Sequence, residues 1–415
     1  MKRQLFVIQF LGITLLAFAQ PAPGDLYKEY KWFNESGDCR GALRVGGNLD
    51  YKLSGSVDNY QGNGMILPPF DIDLEKSIRA ELVIEKMLCH GGTEGLRVSI
   101  NGNAPVPIPA PEEIPSPQSA YAYHFNSVVA IEMEDLRQGP GNSFQFEVDT
   151  AGHWWPQNLL YGMILRIYYE PALLDQRGEI VHPVSRDTLG RVNQIRFDLS
   201  MDPPVEKIDL VGFYDGPDLE GDGIYTKWHY SYHKCQLYNH LGTLSASPFE
   251  FQWNTEWIPD QSEKVKLAAF IHRSDGFIYM SEAVEELVLE RPGYAVELCK
   301  PYQRPKGWFT RNGEFSERFQ IKGDLEQMEE AKMVFRTWSP GYFNGIYIND
   351  FIVFVKEGPK YAYFEHAIPI ERYALKQGEN ILTTGKTPLY PEGMVHGVEV
   401  QWPGIMLLIK YKTSK

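Results

Sequence analysis

The sequence predicts an all-β protein of three β-sandwich domains, and three observations carry that prediction. Short segments alternate apolar and polar residues and stop at Gly, Asn or Pro, the period-two pattern of half-buried strands. Helical periodicity is almost absent. A stretch of about a hundred residues occurs twice, once on each side of a differently patterned centre.

The chain opens with Lys2 and Arg3, an apolar run from Leu5 to Phe18, and small residues at Ala17 and Ala19. That is the pattern of a secretory signal peptide over residues 1–19. Its apolar run is shorter than the ~20 residues a span needs. The expectation is an exported chain that is secreted, periplasmic or held at the cell surface, without membrane insertion. With 54 acidic against 40 basic residues, a net charge of −14 and no basic cluster, nucleic acid is excluded as a partner class. Four cysteines, Cys39, Cys89, Cys235 and Cys299, allow three disulfide connectivities, and Cys39–Cys89 is the expected pair because it falls inside one domain.

The duplication runs from Phe70 to Tyr169 and from Phe319 to Tyr411. Ala80-Glu-Leu-Val-Ile-Glu-Lys-Met87 matches Ala331-Lys-Met-Val-Phe-Arg-Thr-Trp338. Ile100-Asn-Gly102 matches Ile348-Asn-Asp350. Leu136-Arg-Gln-Gly139 with Asn142 matches Leu375-Lys-Gln-Gly378 with Asn380, and Gly162-Met-Ile-Leu-Arg-Ile-Tyr-Tyr169 matches Gly404-Ile-Met-Leu-Leu-Ile-Lys-Tyr411. Short alternating strands of this kind must close as two packed sheets, so each copy is expected to be a jelly-roll-like sandwich. A single helical turn capped by glycine is expected at Glu134–Gly139 and again at Arg372–Gly378. Pro171 and the pair Pro292-Gly293 mark the joints, which gives 20–172, 173–291 and 292–415 as domains.

In the centre, Ile208-Asp-Leu-Val-Gly-Phe-Tyr-Asp-Gly216 alternates and ends in a turn. Ser247-Pro-Phe-Glu-Phe-Gln-Trp253 and Lys264-Val-Lys-Leu-Ala-Ala-Phe-Ile271 follow, the latter with the turn Ser274-Asp-Gly276. This order resembles the bacterial immunoglobulin-like modules of secreted multidomain proteins. The paired outer copies are similar to carbohydrate-binding jelly rolls and to the paired jelly rolls of bacterial peptide-N-glycosidases. An amidase of that kind carries a catalytic aspartate in the loop after the strand Ala80–Met87. Here that loop reads Cys89-His-Gly-Gly-Thr-Glu94-Gly, with Glu94 as its carboxylate, so the activity does not carry over.

Candidate ligands concentrate in an insertion, residues 215–240. Asp218-Leu-Glu220-Gly-Asp222-Gly223 spaces three carboxylates and a glycine like the front half of a calcium loop, with Asp215 as a further donor. His233 and His240, with Cys235, form a second set, pointing to zinc or copper after calcium. His229 and His233 lie about 13 Å apart on an extended strand, too far to share one ion. Aromatic loops hold Trp154, Trp155, Trp338, Tyr342 and Trp402, whose flat faces suit stacking on sugar rings. Glycine-framed serine, zinc-protease, phosphate-loop and dinucleotide motifs are all missing. Two functions remain open. One is a non-catalytic binder of polysaccharide or glycoprotein glycans, stabilised by calcium; the other is a glycan- or glycoprotein-acting hydrolase with its site at a domain interface.

Overall fold

The computed structural model describes residues 21–33, 43–45, 64–66, 68–88, 95–109, 124–148, 158–199, 204–221, 223–303, 307–308, 314–338, 345–354, 363–384, 399–402 and 404–413. Residues 1–19, Cys39, Cys89 and Glu94 lie outside these residues. Within them the chain is all-β, its helical pieces are single 3-10 turns, and no helix is long and apolar enough to cross a membrane.

The first copy contains β1 (Leu26–Phe33), β2 (Leu43–Val45), β3 (Gly64–Ile66), β4 (Ser77–Leu88) and β5 (Arg97–Ile100). It continues with β6 (Val106–Pro107), β7 (His124–Ile131), β8 (Phe144–Glu147) and β9 (Asn158–Tyr169). One sheet runs β1-β9-β4-β7, with β2 on β9, and faces a second sheet, β3-β8-β5-β6. Alternation explains the packing: Ala80, Leu82 and Ile84 of β4 enter the core between the sheets, while Glu81, Val83 and Glu85 face away from it.

The centre comprises β10 (Glu179–His182), β11 (Thr188–Leu189), β12 (Val192–Asp198), β13 (Val205–Asp215), β14 (Thr226–Trp228) and β15 (Ser231–His233). After these come β16 (Gln236–Tyr238), β17 (Gly242–Leu244), β18 (Glu250–Asn254), β19 (Val265–Arg273), β20 (Phe277–Met280) and β21 (Val284–Leu289). Strands β10-β12-β18 form one layer, and β13 with β19, β20 and β21 the other. The second layer does not end at the module. Strand β20 pairs antiparallel with β1, Leu26 opposite Tyr279, so the module and the first copy share one twelve-stranded sheet and one continuous core.

The second copy holds β22 (Tyr294–Cys299), β23 (Pro301–Tyr302), β24 (Gly307–Trp308), β25 (Phe315–Ile321), β26 (Met328–Trp338) and β27 (Ile346–Ile348). It closes with β28 (Phe351–Phe354), β29 (Tyr363–Pro369), β30 (Gly378–Thr384), β31 (Glu399–Trp402) and β32 (Met406–Lys412). The order β22-β32-β26-β29 repeats β1-β9-β4-β7, and β25-β30-β27-β28 repeats β3-β8-β5-β6. This copy has its own core around Phe319, Met333, Phe335 and Leu407.

The motifs that reveal the duplication build one latch twice. Asn101 and Asn349 both take a left-handed backbone (φ 53° and 54°), which asparagine tolerates. Each donates its amide to a carbonyl at 2.8 Å, Asp135 or Ala374, and to a second asparagine at 2.9 Å, Asn142 or Asn380. That second asparagine accepts from the backbone of Arg137 (2.9 Å) or Lys376 (2.8 Å). The expected helical turns are short 3-10 turns, Met133–Asp135 and Arg372–Ala374. Their glycines do not cap them. Gly139 and Gly378 instead sit opposite Ile72 and Ile321, where positive φ (78° and 84°) lets the chain turn into the next strand.

Candidate functional site

The insertion 215–240 touches the outward faces of both copies. Its first part lies on the second copy, where Leu219 and Tyr225, with Trp257, pack on Val296, Val334, Met406 and Leu408. Asp218 is buried, and its carboxylate accepts from the backbone N–H groups of Gly221 (3.0 Å) and Gly223 (2.8 Å), the way a short acidic side chain closes its own loop. Both glycines have positive φ, 69° and 87°. Lys227 reaches Glu220 at 2.7 Å and Asp218 at 3.5 Å. Burial alone would raise the Glu220 carboxyl, but Lys227 and Arg336 outweigh it and hold it at about 2. Asp215 accepts from Lys300 at 2.9 and 3.0 Å, and Asp222 lies outside the described residues.

The hairpin β15–β16 lies on the first copy. Tyr232 exchanges two backbone hydrogen bonds with the Asn126 amide (2.8 and 3.0 Å). His233 meets Glu85 at 2.6 Å, and the same carboxylate accepts from the Lys234 backbone. Lys234 and Cys235 have positive φ (49° and 58°), a turn that drives Cys235 into the sheet, its thiol 3.2 Å from the Trp32 carbonyl. Gly162 makes that approach possible, since a Cβ there would stand 3.0 Å from the sulfur. His240 is elsewhere, 2.8 Å from the Thr243 hydroxyl and 3.9 Å from Asp209. His229 stacks on Tyr214 at 4.2 Å and bonds its carbonyl at 2.9 Å. Burial pushes its imidazole down to about 4. Among the described residues, no three His, Cys, Asp or Glu side chains form a group able to hold a metal ion.

Beneath the hairpin lies an ionic hub that alternation in the sequence did not reveal. Arg166 is 1 % exposed and pairs with Glu29 and Glu81, each at 2.8 Å. Tyr168 donates to Glu81 at 2.6 Å, and the guanidinium also donates to the Tyr232 hydroxyl. The available signal was a strand, β9, buried over its whole length yet carrying one arginine.

Of the aromatic candidates, Trp154, Trp155 and Tyr342 lie outside the described residues. Strand register places the others. Trp338 stands opposite Tyr363 on β29 and Glu399 on β31, and Trp308 stands opposite Gln401. Trp402 ends β31, opposite Gly307 on β24. Val400 pairs with Thr337 as Leu160 pairs with Lys86, and three residues separate Val400 from Gly404 where Tyr161 alone separates Leu160 from Gly162. Trp308 and Tyr363 were not legible as partners, because cross-strand neighbours are distant in sequence.

A cleft of about 630 Å³ lies between the module and the second copy, lined by Asp215, Asp260, Glu297, Lys300, Tyr302 and Lys322 among others. Its carboxylates already have partners. Glu297 accepts from the Lys322 and Gly323 backbones and the Tyr411 hydroxyl (2.8, 3.0 and 2.7 Å), Asp260 holds Arg291 at 2.5 Å, and Asp215 holds Lys300.

No family model and no curated protein matches the sequence. Solved structures similar to it include the fibronectin(III)-like modules of CbhA from Clostridium thermocellum, at 12 % identity and TM-score 0.19, covering 46 % of this chain and 78 % of that one. A β-porphyranase of glycoside hydrolase family 86 from the human gut bacterium Bacteroides plebeius matches at 12 % identity and TM-score 0.23, over 54 % of this chain and 35 % of that one. A glycosyl hydrolase family 2 member from Bacteroides cellulosilyticus matches at 11 % and 0.20, over 63 % and 35 %. This chain spans about a third of the length of either hydrolase.

Proposed function

We propose that this is an exported, non-catalytic glycan-binding protein whose principal contact surface is the loop-bearing end of the second jelly roll. The observation that supports it is the register there. Directly opposed residues share a face of a sheet, so β24, β31, β26 and β29 gather Trp308, Gln401, Glu399, Trp338 and Tyr363 on one face. Aromatic residues with an amide and a carboxylate residue beside them in register are the residue types a sugar-binding face uses. A binding role is also favoured over hydrolysis by the interdomain cleft, whose three carboxylates are engaged in structural contacts.

The test is retention of the mature protein on insoluble cellulose, chitin, xylan and agarose, and on immobilised glycoproteins. Trp308→Ala, Trp338→Ala and Tyr363→Ala are each expected to weaken retention about tenfold, the loss of 1–2 kcal/mol of ring contact. Trp154→Ala and Trp155→Ala test the first copy in the same way. Unchanged retention on every glycan that the parent binds would end the proposal.

A further inference from the structure

The first strand of each copy has one edge turned away from its own sheet. In the second copy that strand is β22, which pairs on one side with β32. The Gly293 carbonyl accepts from the Thr413 N–H at 2.9 Å, and bonded pairs alternate along an antiparallel ladder. Ala295, Glu297 and Cys299 therefore bond β32. Tyr294, Val296 and Leu298 direct their N–H and C=O groups to the other side.

Val296 is satisfied there. Its carbonyl accepts from the Asp260 N–H at 2.8 Å, and its N–H donates to an Asp260 carboxylate oxygen at 3.2 Å. One loop residue thus stands where a strand could pair. In the first copy the corresponding residue, Tyr27, faces Ile278, and the edge is closed by strand β20 of the module. Leu298, the next outward residue of β22, has no hydrogen-bond partner on that side among the described residues.

This edge opens into the cleft of about 630 Å³ between the module and the second copy. Ala295, Val296, Glu297 and Leu298 all line it. Side chains of a strand alternate between two faces, so four consecutive lining residues place the cleft along the edge of β22. The module adds Asp215, Pro259 and Asp260, and the second copy adds Tyr302, Gln320 and Lys322.

We infer that this cleft is a docking site for an extended polypeptide segment, which adds to the edge of β22 next to Asp260. The segment bonds the N–H and C=O of Leu298 and continues the line that Asp260 begins. A donor and an acceptor on the same side of one strand residue match the main chain of another strand. The fold already accepts a strand at this edge in its first copy. A sugar fits the cleft less well, because its carboxylates are engaged by Lys300, Arg291 and the Tyr411 hydroxyl. The inference is independent of the glycan-binding surface on β24, β31, β26 and β29.

The experiment measures fluorescence anisotropy of labelled heptapeptides with the mature protein. The peptides are blocked at both ends and alternate Thr with Val, Ile, Tyr, Glu or Lys. Binding to the parent is expected for part of the set. N-methylation of alternate residues, made in both phases, is expected to weaken it about tenfold in one phase, because side chains are kept and inward donors are lost. Leu298→Pro removes the outward N–H and no bond to β32, and proline is accepted at sheet edges. This variant is expected to lose peptide binding and keep glycan retention, while Leu298→Val, which keeps the N–H, binds peptide like the parent. Equal binding of methylated and unmethylated peptides in both phases would overturn the edge pairing, whatever the stability of the proline variant. Loss of glycan retention in Leu298→Pro with peptide binding unchanged would make the cleft a sugar site instead. If the parent binds none of the heptapeptides, the inference falls and the glycan reading stands.

Discussion

The two jelly rolls share their strand order and their asparagine latch, and they differ most on the face each turns toward the central module. Register pairs the positions. Arg166 corresponds to Leu408, Glu29 to Leu298, Tyr27 to Val296, Tyr168 to Lys410 and Glu81 to Lys332. In the first copy this face is a buried ionic and phenolic network under the β15–β16 hairpin. In the second it is an apolar cluster of Val296, Val334, Met406 and Leu408, with Lys410 at its rim bonded to Glu256 (2.9 Å) and Glu330 (3.0 Å). The strand order is set by the fold and was retained; the outward face is set by what covers it and diverged. One insertion therefore meets a buried arginine network on one side, and on the other an apolar cluster flanked by the Arg336–Glu220 and Asn239–Glu365 contacts.

The largest expected effect breaks the charged side. Arg166→Leu writes the second copy's residue into the first but leaves Glu29 with Lys31 alone (2.8 Å) and Glu81 with only Arg79 at 3.8 Å. Burial would raise the Glu29 carboxyl, yet Lys31 and Arg166 outweigh it and hold it at about 2. Removing one partner of such a pair costs about 3–5 kcal/mol. The triple change Glu29→Leu, Glu81→Leu, Arg166→Leu is expected to recover most of that loss, since it converts the network to an apolar one. Urea denaturation measures both. A single variant as stable as the parent would show that the hub contributes nothing, and a triple variant no better than the single would show that the hydroxyls of Tyr168 and Tyr232 demand the charges.

The next effect separates the copies by pH. Burial lowers the Lys86 ammonium of the first copy to about 7, and the His366 imidazole of the second to about 4. Both groups are therefore held neutral in the fold. As pH falls from the ordinary lysine value, near 10.4, to about 7, the unfolded chain takes up a proton that the native chain refuses, and stability is lost. For His366 the same loss falls between about 6.5 and 4. The alkaline window is expected to be worth about 4–5 kcal/mol and the acid one about 3 kcal/mol. Lys86→Met should reduce the alkaline window alone, leaving the share of Lys332, which burial lowers to about 8. His366→Phe should reduce the acid window, leaving the share of His229. Equal flattening of both windows by either change would refute the assignment.

How far the sequence went follows from the same division. The duplication was readable because its carriers, Asn101 and Asn142 with Asn349 and Asn380, serve local backbone geometry and recur at fixed spacing. The all-β class followed from alternation for the same reason. The edge pairing of β1 with β20 was not readable, since both strands look alike whether they end a sheet or continue one. Arg166 and Glu81 alternate like surface residues, and only the hairpin lying on them makes them interior. The acidic loop fits the spacing of an ion site through three carboxylates and a glycine; that Lys227, four residues after Gly223, reaches Asp218 and Glu220 was not legible in the sequence. Trp338 was singled out for its loop, while its partners Trp308 and Tyr363 depended on register.

The smallest expected effect concerns that loop. Lys227 already supplies a positive charge to Asp218 and Glu220, and the Asp218 oxygens accept two backbone N–H bonds, so calcium must displace an internal partner to bind there. The parent is expected to melt within about a degree in EDTA and in millimolar calcium, because a ligand that binds weakly at that concentration adds little stability. Lys227→Met removes the ammonium nearest Asp218 and Glu220, with Arg336 still 3.9 Å from Glu220, at a cost of about 1 kcal/mol. Calcium should then recover that loss, because a hard cation with oxygen ligands takes over the role of the lysine. A calcium-dependent rise in the parent as large as that in Lys227→Met would make the loop an ion site in its own right and the lysine incidental. No rise in either would leave the glycines and the Asp218 turn as the whole reason for the loop's shape.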